Sequence, residues 1–447
     1  MSKKTQSLFG TSGIRGEVDK LFTKQFCFDI GRTFVKFLNK HKQTGPIAIG
    51  IDSRTSSPRI AQDLAASLNY EGRETTYLGA VPVSATHYSI LSTPAIASIM
   101  VTGSHIDIKS NGIKFFALKE EIDKNHEKEI STIYAQIKNQ VKPKAIKANF
   151  SYDSSGFDNY LEMLIGLADS PLPKLKIAFD PGNGAQTNTI KTLLLELGQE
   201  VFAINDDIQK ELISRDTEKD GSFSDLQALV LKKKADLGIG FDTDGDRIVF
   251  VDRQGKFISG DYSGTILAKW NKSNTIVTPI NVSGVIDSIG KEIIRTKVGS
   301  PFVVAQMKKS GTNFGFEGNG GCIHREIMMS RDGGATLVKM LNILKWSQKR
   351  LDQLVSQLPQ YFIRRDKFDC PRNKNKLILS QAKNFAQTES INDLDGVKLI
   401  LDKDNWVLFR PSSNAPEFRV FVESNTQAKA DKLLSDALKF AQKQIKK

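Results

Sequence analysis

A hydroxyl that is to act as a nucleophile must sit where a substrate can reach it, and the end of a buried strand entering a glycine-containing loop is such a place. Ser104 meets that requirement, because the apolar run from Ala95 to Val101 stops at Thr102-Gly103-Ser104-His105. His105 lies beside it, and Asn111-Gly112 predicts a turn that brings Lys114 back toward the same loop as a proton donor, acceptor or phosphate contact. The same residues also suit a plain turn with its hydroxyls bonded to the backbone, so this segment alone leaves both readings open.

Phe241-Asp-Thr-Asp-Gly-Asp-Arg247 sets carboxylates at Asp242, Asp244 and Asp246, directly after one apolar strand and directly before another, Ile248 to Val251. Close like charges disfavour joint ionisation, so a hard divalent cation among them is the natural remedy, and oxygen-only ligands suit magnesium. An acidic surface turn or a calcium loop competes with this. The EF-hand form, however, needs a closing bidentate Glu and flanking helices, and this loop has neither.

Two further segments are suited to a sugar phosphate. Phe316-Glu317-Gly318-Asn319-Gly320-Gly321 offers a carboxylate and an amide on a backbone that can approach vicinal hydroxyls closely, although a flexible hairpin turn fits it equally. Arg410-Pro-Ser412-Ser413-Asn414-Ala-Pro416, with Arg419 beyond it, combines guanidinium groups, hydroxyls, an amide and loop N–H groups, an inventory for gripping a phosphate dianion. A polar turn between strands explains its Pro and Ser residues but not the two arginines.

The elements that must carry these groups alternate. A helix is expected from 23 to 38 after a Thr23 cap, a strand at 47 to 51, a helix begun by Pro58, and the strand that delivers Ser104. After a polar helix from Lys124 and a basic link near 141 to 147, strands at 176 to 180, 201 to 204 and 235 to 241 enclose helices. A third unit is expected from strands at 275 to 280 and 301 to 305, a helix after Ser283, and a long helix from Gly334 that Asp332 caps. Past 363 the pattern becomes a helix, three strands and a closing helix, a smaller α+β domain with an antiparallel sheet. The predicted domains are 1–150, 151–252, 253–362 and 363–447, three similar α/β domains with mixed sheets plus the C-terminal α+β domain.

A chain of 447 residues exceeds what one core usually supports, and 39% hydrophobic with 25% charged residues is ordinary for a folded protein. The start has no run suited to a signal peptide and no stretch approaches a membrane span, so a cytoplasmic location and no membrane partner are expected. The 3 cysteines, Cys27, Cys322 and Cys370, offer no zinc spacing and fit reduced thiols. A net charge of +13 invites a nucleic-acid partner. Many of the lysines, such as Lys232 to Lys234 and those from Lys439 to Lys447, instead read as solvated helix faces, and no nucleic acid is expected.

The order of serine loop, carboxylate loop, glycine-rich loop and arginine loop resembles the α-D-phosphohexomutase superfamily over essentially the whole chain. Phe9-Gly-Thr-Ser-Gly-Ile-Arg-Gly16 is similar to that family's amino-terminal signature, and Asp52-Ser-Arg-Thr-Ser56 and Asp180-Pro-Gly-Asn-Gly184 are similar to other family segments. The resemblance implies four domains around a central cleft, with Ser104 phosphorylated and ligating magnesium beside Asp242, Asp244 and Asp246. It implies that Glu317 and Asn319 hold the sugar hydroxyls, that Arg410, Ser412, Ser413, Asn414 and Arg419 hold the phosphate not being transferred, and that Arg247 adds a contact. Lys114 aided by Arg15 is the expected proton carrier, with His105 beside the nucleophile. The substrate is then a hexose phosphate, with a hexose 1,6-bisphosphate as activator.

The chain departs from the family at Ile106-Asp107, where Asn-Pro is usual, so an altered loop and a new acid near the serine are expected, with a cost in turnover. Asn319-Gly-Gly321 replaces Ser-Gly-His, with His324 displaced, and Ala415 replaces a glutamate. Thr296-Lys-Val-Gly-Ser300 and the Asn-Gly-Gly loop are most similar to phosphomannomutase/phosphoglucomutase, the first expectation; Asn111-Gly-Ile-Lys-Phe-Phe116 is similar to phosphoglucosamine mutase, the alternative. A degenerate sugar-phosphate binder is a third reading.

Overall fold

Ile47-Ala-Ile-Gly-Ile51 and Ala97-Ser-Ile-Met-Val101 are buried at every position, as strands covered on both faces must be. They pair in parallel in the computed structural model, which describes residues 8–10, 12–143, 148–412 and 416–445. Thr75–Ala80 continues the sheet in parallel, while Ser110–Ala117 and then Ile14–Glu17 add antiparallel strands at the other side. The edge strand Ser151–Tyr152 pairs with Thr76 and Tyr77, so this mixed sheet reaches just past position 150. Thr23 caps the helix Lys24–Lys40 by accepting the Phe26 N–H, and Pro58 stands in the first turn of the helix Ser57–Tyr70. The Phe34 and Phe115 ring centroids lie 4.6 Å apart, tying helix to sheet.

The second sheet repeats the scheme. Lys176–Asp180 lies between the parallel strands Leu237–Phe241 and Glu200–Ala203, and Ile248–Asp252 returns antiparallel beside Leu237–Phe241. Both sheets thus place a polar segment where a pair of parallel strands ends, the position at which open α/β sheets bind ligands. These two layers, with residues 319–352, form one compact unit of the chain, Met1–Ser263 with Asn319–Asp352. The helix Gly333–Ser347 belongs to it, and Asp332 caps that helix on the Ala335 N–H while accepting the Tyr160 hydroxyl at 2.6 Å.

The second unit comprises Gly264–Gly318 and Gln353–Lys447. Thr275–Pro279 runs between the parallel strands Glu292–Thr296 and Phe314–Phe316. The strand expected at 301 to 305 is instead the start of a helix, Ser300–Ser310. Gly299 precedes it and Pro301 occupies its first turn, so the apolar run supplies a buried helical face at Val303 and Met307 rather than a strand. The helix expected after Ser283 is a short 3-10 segment, Gly284–Ile289. The last sheet is antiparallel, in the order Phe362–Asp369, Glu417–Ser424, Asn405–Pro411, Val397–Asp402, Ser390–Asn392. The helices Asn375–Ala382 and Gln427–Ile445 pack on it. Three α/β domains and a smaller α+β domain follow from these four sheets.

Phe115→Ala should cost about 3–5 kcal/mol of stability in urea unfolding, because a buried ring between helix and sheet leaves a cavity. A pH effect is expected at Glu127. Burial pushes its carboxyl up to about 7 from 4.5, against the pull of Lys124. An acid raised in this way binds more protons folded than unfolded, so its contribution to stability falls as pH rises from 4.5 through 7. The unfolding midpoint of Glu127→Gln should therefore gain on the wild type across that window, and a constant difference would contradict the assignment.

Candidate active site

Asp52 follows one buried strand and Thr102-Gly103-Ser104 follows its parallel neighbour, so the two segments meet: the Gly103 N–H donates to Asp52 Oδ2 at 3.2 Å. Ser104 is fully buried and takes the left-handed backbone conformation, φ 51°, which costs a residue with a Cβ about 1–2 kcal/mol. Its Oγ lies 3.2 Å from His105 Nδ1 and 3.4 Å from Asp242 Oδ2. The turn expected at Asn111-Gly112 is absent. Both residues lie inside the strand Ser110–Ala117, paired to Ile14–Glu17 on one side and Ala97–Val101 on the other, and the strand itself carries Lys114 to the site. The acid expected beside Ser104 is also turned away: Asp107 is exposed, and its Oδ1 accepts the Lys109 N–H of its own turn.

The carboxylate loop ends the strand Leu237–Phe241. One oxygen from each of Asp242, Asp244 and Asp246 lies within 4.8 Å of the others, and all three residues are buried. Lys114 Nζ donates to Asp244 Oδ2 at 2.8 Å and to Asp246 Oδ2 at 3.3 Å, and Arg331 donates to the same Asp246 oxygen at 2.6 Å. Arg247 Nε stands 3.6 Å from both Asp242 and Asp246. Burial would drive the Lys114 ammonium toward deprotonation, but Asp244 and Asp246 outweigh it and hold the proton on. For Asp246, burial is likewise outweighed, by Arg331, Lys114 and Arg247, so it stays ionised. Asp242 is pushed well up by burial and by the two neighbouring carboxylates. Arg247, burial and Arg15 together depress the His105 imidazole to about 2, which keeps it neutral. Arg15, on the strand Ile14–Glu17, lies within the electrostatic reach of Asp244, Arg247 and Arg331.

The trio suits a hard divalent cation. Asp244 Oδ1 and Asp246 Oδ1 are buried without hydrogen-bond partners among the described residues, and burial with the two neighbouring carboxylates disfavours the charge on Asp242, which a cation would restore. Every donor is oxygen, as magnesium prefers.

Asn319 Oδ1 accepts the Gly321 N–H at 3.0 Å, shaping the glycine-rich loop. His324 lies within hydrogen-bond distance of Thr336 Oγ1, at 3.2 Å in the core, and burial pushes its imidazole down to about 4. In the second unit Glu317 is buried just after the strand Phe314–Phe316. Arg410 and Arg419 stand directly opposite each other across the antiparallel strands Asn405–Pro411 and Glu417–Ser424. Like charges facing each other across a ladder destabilise it unless an anion intervenes. Arg410 Nε is fixed by Asp395 Oδ2 at 2.6 Å, Arg419 Nη2 stands 3.6 Å from Glu417 Oε2 while its Nε has no hydrogen-bond partner among the described residues, and the Ser412 N–H donates to Glu417 O. Ser413 and Asn414 lie outside the described residues.

Two participants were not read from the sequence as site residues. Arg331 precedes the Asp332 cap without a signal of its own, and its partner Asp246 is remote in the chain. Arg54 belonged to a recognised segment, but its guanidinium donates to main-chain carbonyls such as those of Ser104 and Ile106, which carry no side-chain signature. Among the described residues, no helix is long and apolar enough to cross a membrane.

Models of the phosphoglucomutase/phosphomannomutase family match the chain in sequence: α/β/α domain I over residues 6–141, domain II over 158–255 and domain III over 259–362. A phosphoglucosamine mutase of Caldanaerobacter subterraneus subsp. tengcongensis is 31% identical over 452 residues, covering 96% of this chain and 97% of that protein. One of Thermodesulfovibrio yellowstonii is 31% identical over 458 residues, with coverage of 96% and 97%. The crystal structure of a phosphoglucomutase/phosphomannomutase family protein from Burkholderia thailandensis shares the fold at a TM-score of 0.82 and 22% identity, covering 98% of each chain. The chain belongs to the α-D-phosphohexomutase superfamily and is a phosphotransferase of that group.

Proposed function

We propose that the chain interconverts the 1-phosphate and 6-phosphate of glucosamine through phospho-Ser104 and a bisphosphate intermediate. The reading rests on the 3.4 Å approach of Ser104 Oγ to Asp242 at the rim of a buried carboxylate trio. The choice of hexose draws support from full-length relatives named phosphoglucosamine mutase, and from the segment Asn111–Phe116. The first expectation, mannose or glucose phosphate, keeps the reaction class, whereas these relatives favour the alternative for the sugar.

In the forward step the free hydroxyl oxygen of the sugar phosphate bonds to phosphorus as the Ser104 Oγ–P bond breaks, which yields the bisphosphate and frees the serine. The bisphosphate turns over without leaving, and its other phosphoryl group returns to Ser104. Lys114, held protonated by its two aspartates, is proposed to donate a proton to the departing serine oxygen and to recover one from the attacking sugar hydroxyl, and Arg15, Arg247 and Arg331 to counter the charge on the transferring oxygens. Neutral His105 orients the hydroxyl. Glu317 and Asn319 are proposed to hold the sugar hydroxyls. Arg410, Ser412, Ser413, Asn414 and Arg419 are proposed to grip the idle phosphate, for which the opposed arginines are the support. Asp242, Asp244, Asp246 and phospho-Ser104 would hold magnesium, which when bound offsets charge on the transferring oxygens.

A panel of glucosamine, mannose and glucose 1-phosphates, each with its bisphosphate, should give the highest kcat/KM with the amino sugar; a preference for mannose or glucose would restore the first expectation. Ser104→Ala should drop turnover to background, and intact-mass analysis should find phosphate on the wild type only. An unphosphorylated, inactive wild type that still binds sugar phosphate would instead identify a binding protein. Asp244→Asn should abolish the rise in melting temperature on adding magnesium, while the wild type shows it.

A further inference from the structure

The five side-chain hydrogen bonds that Arg54 makes among the described residues form one pattern. Its side chain is almost wholly enclosed (2% exposed), and Nε donates to Asp52 Oδ2 at 3.2 Å. The outer nitrogens reach four main-chain carbonyls of the nucleophile loop: Nη2 those of Ser104 at 2.6 Å and Ile106 at 2.9 Å, Nη1 those of Asp107 at 3.1 Å and Ser110 at 3.3 Å. Asp52 closes the arrangement, since its other oxygen accepts the Arg54 N–H and the Ser57 hydroxyl, and Oδ2 also accepts the Gly103 N–H. A Cβ on Gly103 would fall 2.5 Å from Arg54 Nε, so the guanidinium lies flat against the residue preceding the nucleophile.

We propose that Arg54 is a positioning residue for phosphoryl transfer: its planar fork holds Ser104 in the left-handed conformation that aims Oγ at the carboxylate trio, and within the nucleophile loop it bonds to main-chain carbonyl oxygens and to no side chain. The inference builds on the reading of Ser104 as the phosphoryl carrier. A fork with five fixed donors can satisfy four diverging carbonyls and a carboxylate together, whereas an ammonium is a single point of charge. Because carbonyls are common to all residues, the clamp is indifferent to side chains at 106 and 107. The unusual Ile106-Asp107 pair is therefore accommodated with the loop intact, which removes the physical basis for the expected loss of turnover.

The test compares wild type, Arg54→Lys, Gly103→Ala and the double variant Ile106→Ala with Asp107→Ala. Melting temperature, kcat, KM and the rate of Ser104 phosphorylation by bisphosphate are read for each. Arg54→Lys should melt cooperatively, yet lose kcat and phosphorylation rate about 100-fold, the usual cost of misplacing a reacting group by an ångström. Its KM should stay near the wild-type value. Gly103→Ala, which displaces the guanidinium while retaining it, should show the same split. The double variant alters partly exposed side chains only and should match the wild type. Wild-type kcat in Arg54→Lys or Gly103→Ala would overturn the proposal, as would a comparable loss in the double variant. A wild type that never acquires phosphate at Ser104 refutes the functional reading instead.

Discussion

Three carboxylates cannot share a buried hollow without compensation, and much of the first unit is arranged around that constraint. Lys114, Arg247 and Arg331 come from three separate segments to meet Asp242, Asp244 and Asp246, and each cation is itself nearly enclosed. Counting side chains, three cations face three carboxylates, with Arg15 close behind, and a divalent ion would leave the pocket decidedly positive. Such a balance is poorly suited to an empty site and well suited to one that receives phosphoryl groups. The same logic, at smaller scale, governs Arg410 and Arg419, whose facing positions are offset in part by Asp395 and Glu417.

Much of this was legible in the sequence because the relevant signals are local. The short runs at 47–51, 176–180 and 248–251 are strands, and the capping residues Thr23 and Asp332 act where their spacing placed them. The acidic residues of the 242–246 loop converge because alternate positions in one tight loop can hardly do otherwise. Failures occurred where a local pattern had two solutions. Phe302-Val-Val304 suits a strand or a helical turn, and only the Gly299 and Pro301 context decides. Asn111-Gly112 has turn composition, yet pairing with Arg15 and Gly16 on one side and the Thr102 N–H on Gly112 O at the other hold it extended. Arg54 and Arg331 lay beyond reach for a different reason: what defines them is a partner far along the chain, and nothing periodic marks such a meeting.

The carboxylate loop is also anchored by main-chain bonds from widely separated places. The Val83 N–H reaches Asp244 O, the Ala185 N–H reaches Thr243 O, Gln186 Nε2 reaches Gly245 O, and the Ile248 N–H after the loop reaches Gly320 O. None of these partners is a neighbour in sequence. An arrangement closed by such long-range bonds forms late, because the entropy of each intervening loop must be overcome before any of them is rewarded. A newly made or partly opened chain accordingly has aspartates but no cage, so three converging carboxylates, and with them the place a divalent ion would take, arrive only with the finished tertiary structure.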